Sequence, residues 1–125
     1  MFLKSYRNYS SLDVSFNNGF NVIYGNNAQG KTNILEAIYL CTTGRSHRTN
    51  KDNELIKYGE DKYFIKLLFS KQERKDNSIE ISYSTKDRKN ILINDIPIKK
   101  IGNLMGQLNS VMFSPEDLQI IKEGP

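Results

Sequence analysis

Apolar and polar residues alternate in short runs over much of this chain, with one longer stretch of different period. In LDVSF (12–16), Leu12, Val14 and Phe16 flank Asp13 and Ser15, the two-residue period of a half-buried strand. Strands are expected at 2–8 and 12–16. A hairpin turn is expected at Asn17-Asn18-Gly19, where Asn-Gly tolerates positive φ, and FNVIYG (20–25) should follow as a third strand. From Lys31 to Thr43 the period changes. Ile34, Leu35, Ala37, Ile38, Leu40 and Cys41 cover more than half of a helix circumference, which predicts a helix buried on most sides, stopped by Gly44. YFIKLLFS (63–70) and SIEISYS (78–84) read as strands joined by the polar loop KQERKDN. NILINDIPI (90–98) reads as a strand that turns at Asn94-Asp95. A short helix is expected around 99–108 and a buried strand at VMF (111–113). A last helix should start with Ser114 as N-cap and Pro115 at its first position. One strand–loop–helix unit among antiparallel-looking strands predicts a mixed α/β fold with a hairpin-rich layer, unlike a regular doubly wound sheet.

The join between 20–25 and the helix is GNNAQGKT. It matches G-x-x-x-x-G-K-[ST] at Gly25, Gly30, Lys31 and Thr32. The spacing has a chemical reason. A loop through Asn26, Asn27, Ala28 and Gln29 turns successive backbone N–H groups toward one phosphate, and the helix N-terminus adds partial positive charge. Gly30 lets the backbone approach the phosphate, where a Cβ would block it. Lys31 reaches the outer phosphates, and the Thr32 hydroxyl is placed to ligate Mg2+. ATP with Mg2+ is the expected cofactor pair.

Composition narrows the setting. The 125 residues allow one small domain, and 38 % apolar residues are enough for a modest core. No apolar run reaches the roughly 18 residues that a membrane helix needs, and MFLKSYRNYSS has no signal-peptide core. A single cysteine, Cys41, excludes an internal disulfide and is read as a small buried apolar residue. A soluble cytoplasmic chain with no membrane partner is expected. The net charge of +4 permits an anionic partner without demanding one.

The chain resembles the RecF family of bacterial DNA replication and repair ATPases. LKSYRNYSSLDVSF is similar to the family's start and GNNAQGKTNILEAIYL to its P-loop and helix. TGRSHRTNKDNELIKYG and VMFSPEDLQIIKEGP are similar to two later blocks. The resemblance covers nearly all of the chain, most weakly at 70–90. It implies a P-loop NTPase fold, the N-terminal lobe of an ABC/SMC-type ATPase head. By the same resemblance, residues 25–33, from Gly25 to Asn33, hold the triphosphate, with Arg7 and Asn8 as further nucleotide contacts. Arg48, with Arg45 beside it, would link DNA to ATP hydrolysis. The implied partners are DNA, an ATP-dependent second copy, and recombination-mediator proteins such as RecR.

Other parts expected of such an ATPase are not found. ILIND (91–95) imitates a Walker B strand, but Asn94 breaks its apolar run and Asp95 sits in an apparent turn. No Leu-Ser-x-Gly-Gln signature occurs. Gln107 and Gln119 compete as a metal-sensing glutamine, against an aligned Ser114-Pro115-Glu116. Residues 1–125 are therefore expected to form a Walker A lobe of a longer protein, with Walker B and signature beyond it and no catalytic residue of its own. The isolated lobe should bind nucleotide weakly and hydrolyse it poorly.

Several features keep plain readings. Lys71, Arg74, Lys75, Lys86, Arg88 and Lys89, placed together on one hairpin end, could meet DNA phosphates. With Glu73, Asp76 and Asp87 among them, they read more simply as a charged, solvated hairpin. Tyr6, Tyr9, Phe16, Phe20 and Tyr24 read as core. His47 lacks ligand-spaced neighbours, so no structural metal is expected. Besides the repair ATPase, two functions compete: a P-loop small-molecule or nucleotide kinase, and a DNA-binding module in which nucleotide is structural.

Overall fold

The computed structural model describes residues 1–25 and 28–113. Six strands form one sheet in the order β2-β1-β3-β4-β5-β6: β1 Phe2–Tyr6, β2 Tyr9–Asp13, β3 Lys62–Phe69, β4 Asn77–Ser84, β5 Arg88–Ile93 and β6 Ile96–Pro97. Every pairing is antiparallel. A single α-helix among the described residues, α1 (Ala28–Thr43), packs on one face of the sheet. No parallel sheet of the kind a P-loop kinase carries lies among the described residues.

The period-two pattern explains the face. In register, Leu3 pairs with Ile65, Ile65 with Ile81, and Ile81 with Ile91, one apolar row across four strands. These residues are buried, and Ile34, Ala37, Leu40 and Cys41 of α1 join them in the core with Leu104. The opposite face carries cross-strand pairs such as Lys66–Glu80, 3.2 Å apart and directly opposed in register. Asn94 and Asp95 both have positive φ, +51° and +67°, the two-residue turn that returns β5 into β6. ILIND is therefore a hairpin. α1 ends as expected: Gly44 has φ +79°, and its N–H donates to the Leu40 carbonyl over 2.7 Å. Around 99–108, only Ile101–Asn103 is helical, as one 3-10 turn, with Gln107 in the turns that follow.

Other expectations need correction. The first hairpin turns at Arg7-Asn8, so the second strand is 9–13 and not 12–16. Leu12, Val14 and Phe16 keep their alternation and pack against the core, but after Asp13 the pairing continues only at Met1 and Val14, whose backbone N–H and C=O groups exchange two hydrogen bonds. Asn17-Asn18-Gly19 does turn the chain, closed by the Asn21 side chain rather than by a strand partner. Residues 20–25 form no strand, and Phe20, Val22 and Tyr24 are exposed, not core. The same holds for 111–113, where Val111 and Phe113 are exposed. A strand exists only through its pairing, and neither segment meets a sheet edge among the described residues. Leu35 also faces outward, at the edge of the helix's buried arc. The six basic residues do not share one hairpin end. Residues 71–76 and 85–87 sit at opposite ends of β4, about 25 Å apart at strand rise. Lys89 follows Arg88 at the 85–87 end, opposite Tyr83, with its ammonium paired to Asp52 at 3.2 Å. Ser114, Pro115, Glu116 and Gln119 lie outside the described residues.

The core row predicts a contrast between two isoleucines. Ile81→Ala should cost about 2–5 kcal/mol in urea unfolding, because it empties a site with contacts on all sides. Ile96→Ala, on exposed β6, should cost about 0.5 kcal/mol or less. Equal losses would contradict the assignment of faces.

A candidate nucleotide site braced by a buried carboxylate

α1 begins inside the glycine-rich loop, and its first described side chains set the site. The Lys31 ammonium donates back to the Gly25 carbonyl, so it lies across the mouth of the loop. Gly25 has φ +147°, and a Cβ there would meet nothing within 4 Å, which leaves open space at the loop's first residue. Tyr9 of β2 donates its hydroxyl to the Gly30 carbonyl at 2.8 Å, fixing the hairpin against the loop's last glycine. Asn26 and Asn27 lie outside the described residues, as do the side chains of Ala28 and Gln29.

Just over two turns into the helix sits a residue that pattern reading passed over. Glu36 is completely buried. Its Oε1 accepts from the Tyr6 hydroxyl, from Arg7 Nε at 3.0 Å and from an Arg48 terminal nitrogen at 2.8 Å. Its Oε2 accepts from an Arg7 terminal nitrogen at 2.8 Å, from Arg48 Nε at 3.2 Å and from the Ser46 hydroxyl. Both arginines therefore grip the carboxylate bidentately, the arrangement in which a planar guanidinium matches it best. Burial alone would push the Glu36 carboxyl up. The hydrogen bonds from Arg7, Arg48, Ser46 and Tyr6 outweigh that and hold its pKa at about 2. Tyr6 moves the opposite way: burial and then the adjoining Glu36 push its phenol up. The hydrogen bond with Glu36 also raises Arg7.

The network brings several expected site residues together. The Asn33 side-chain amide donates to Asn8 Oδ1 at 2.8 Å, and Arg48 donates to Asn33 Oδ1. Arg7, Asn8, Asn33 and Arg48 thus form one surface beside the start of α1. Arg45 is not part of it. Arg45 is exposed and lines a neighbouring cavity of about 880 Å3 with His47, Thr49 and Lys89. The His47 ring packs edge-on against Tyr39 at 5.8 Å. Cys41 is buried in the core, which pushes its thiol up to about 12. One signal would have revealed Glu36: a carboxylate in the apolar run ILEAIYL has to face inward at that helical phase, and a buried carboxylate needs cations. The two arginines that satisfy it were already in view.

A family model described as an AAA domain matches residues 1–123. The chain belongs to that family. It is 58 % identical over 123 residues to the DNA replication and repair protein RecF of Ruminiclostridium cellulolyticum, covering 98 % of this chain and 33 % of the relative. The likeness to RecF of Clostridium acetobutylicum is 52 % over 125 residues, covering 100 % and 34 %. A solved structure of the recombination mediator protein RecF with ATP superposes with a TM-score of 0.88 at 41 % identity, over 99 % of this chain and 33 % of that one. An SMC ATPase structure superposes with a TM-score of 0.69 at 22 % identity, over 96 % and 82 %, a likeness of fold. The chain corresponds to the N-terminal part of RecF and spans about a third of the relatives it matches. Its architecture is the N-terminal lobe of an ABC/SMC-type P-loop ATPase head. No helix among the described residues is long and apolar enough to cross a membrane.

The carboxylate predicts its own acid limb. The folded Glu36 titrates at about 2, below its ordinary 4.5. Its contribution is fully present above pH 4.5 and is lost as pH falls from there toward 2. Glu36→Ala should destabilise by about 3–5 kcal/mol at neutral pH, since it strands two arginines. Glu36→Gln should flatten the loss of stability across that acid window. Urea midpoints between pH 7 and pH 3 check both, and an unchanged acid limb in Glu36→Gln would contradict the assignment.

Proposed function

We propose that the chain is the ATP-binding part of a RecF-type DNA replication and recombinational repair protein. One observation carries this reading. The glycine-rich loop opens a buried helix whose Lys31 lies across the loop mouth, with the Arg7-Asn8 hairpin braced against it. Backbone N–H groups through residues 25–32 and the Lys31 ammonium take the β- and γ-phosphates, with electrostatics reinforced by the helix N-terminus. The donor set fits a nucleoside triphosphate with Mg2+: an open glycine corner, an ammonium at the loop, and a hydroxyl, Thr32, at the second helical turn's start. The metal would supply charge neutralisation between the phosphates, and the Thr32 hydroxyl would be its protein ligand. Asn33, Arg7 and Asn8 complete the nucleotide surface, and Arg48 connects it to DNA.

The relatives named RecF support the wider role. In the complete protein, ATP-dependent pairing of two copies would close on DNA at single-strand gaps or single-/double-strand junctions, supporting gap repair and the SOS response in the cytoplasm. RecR-type mediators are the protein partners of this reading. Residues 1–125 act as the Walker A lobe. Walker B carboxylate and signature come from outside them, so the lobe alone binds nucleotide weakly and turns it over slowly.

Isothermal titration of ATP with Mg2+ tests the core of this reading. Lys31→Ala should lower affinity at least tenfold relative to the unsubstituted protein. Equal affinity would contradict it.

A further inference from the structure

Gly30 is the last glycine of the loop and lies in the first turn of α1. Helix ends fray, and glycine has more backbone freedom to lose than any other residue. This is therefore a weak place from which to aim a phosphate ligand, yet Lys31 follows it directly. The peptide unit between them is planar, so the Gly30 carbonyl and the Lys31 Cα move as one body. A side chain from outside the helix holds that body. Tyr9 of β2 donates its hydroxyl to the Gly30 carbonyl at 2.8 Å. Tyr9 is itself fixed, because it pairs with Tyr6 at the closed end of the β1–β2 hairpin. Tyr6 is completely buried and donates to Glu36, Arg7 grips Glu36, and Asn8 accepts from Asn33. The four residues from Tyr6 to Tyr9 thus meet α1 at Gly30, Asn33 and Glu36, a row three residues apart that runs up one side of the helix. Burial pushes the Tyr9 phenol up, so it stays a protonated donor at neutral pH.

We infer that Tyr9 is a positioning residue for phosphate binding: its hydroxyl fixes the Gly30–Lys31 peptide and so sets where the Lys31 ammonium reaches. The inference rests on the ATP-binding reading above. In the structure the ammonium donates to the Gly25 carbonyl. An incoming phosphate must draw it from there, and a long, flexible side chain loses less freedom in doing so when its Cα is already in place. The Tyr9 ring carries no charge and its hydroxyl is engaged by the carbonyl, so it acts through the loop and not on the nucleotide. The role belongs to the O–H alone. The ring packs partly buried against the core, and a phenylalanine ring would pack there equally well.

Titration of the intact protein and of Tyr9→Phe with ATP and, separately, with inorganic triphosphate, both with Mg2+, tests the assignment. Tyr9→Phe keeps the ring and removes the donor. It should weaken both probes by the same factor, about threefold to tenfold, as expected for the loss of one neutral hydrogen bond. Urea unfolding of the same variant gives a second readout. A lowered midpoint with both affinities unchanged would make Tyr9 a merely structural residue and overturn the inference. Weakening of ATP alone would overturn it too, since the hydroxyl would then act at the nucleoside and not through the loop. A Lys31→Ala control separates the two claims: its binding ATP like the unsubstituted protein would overturn the ATP-binding reading and this role with it. Weakening by Lys31→Ala but not by Tyr9→Phe overturns the positioning role alone.

Discussion

A single buried negative charge organises this lobe. Glu36 is fully buried, so its charge is tolerated only while Arg7, Arg48, Tyr6 and Ser46 surround it. Those residues come from two separate pieces of chain, the end of β1 with its turn and the segment after the helix, and Glu36 holds both to the helix itself. The requirement to satisfy one carboxylate therefore fixes where the first hairpin and the 45–50 segment lie against α1. Hydrophobic contact alone is non-directional and would leave their relative rotation loose. Bidentate pairing is directional, and it presents Asn8, Asn33 and Arg48 toward the same side of the helix start.

A second anchor works at the other end of the helix. Lys89 on β5 donates to the Gly44 carbonyl and pairs with Asp52, and Tyr63 of β3 donates to Asp52 at 3.0 Å. A cation at the helix C-terminus complements the partial negative charge there. The chain leaving α1 is thus tied to two strands through Asp52 while Glu36 ties it to the first hairpin. The sheet supplies a rigid floor, and the polar anchors decide what stands on it. This division explains why the surface beside the P-loop is built from turns and loop residues held by side chains rather than by the strand ladder.

Much of the fold was legible because periodicity reports local geometry. β3, β4 and β5 start within two residues of their expected positions and α1 within three, since alternation and the helical arc are properties of adjacent residues. The failures at 20–25 and 111–113 share a cause. Phe20, Val22 and Tyr24 alternate as a strand would, but alternation cannot say which strand will pair with them, and none does among the described residues. At the site, the glycine-lysine-threonine spacing announced phosphate chemistry, and resemblance singled out Arg7 and Arg48. Their common partner escaped notice because Glu36 was passed over as the polar interruption of an apolar helix. Arg45, close to Arg48 in sequence, stands outside this network and lines the neighbouring cavity.

The central claim is that Arg7 and Arg48 are coupled through one carboxylate. A double-variant cycle on unfolding free energy measures that coupling directly, using Arg7→Ala, Arg48→Ala and both together at neutral pH. When one arginine is removed, the other remains to neutralise Glu36; when both are removed, the charge is left buried and alone. The double variant should therefore lose at least about 1 kcal/mol more than the sum of the single losses. Additivity within about 0.5 kcal/mol would mean that the two arginines act independently and would contradict the account.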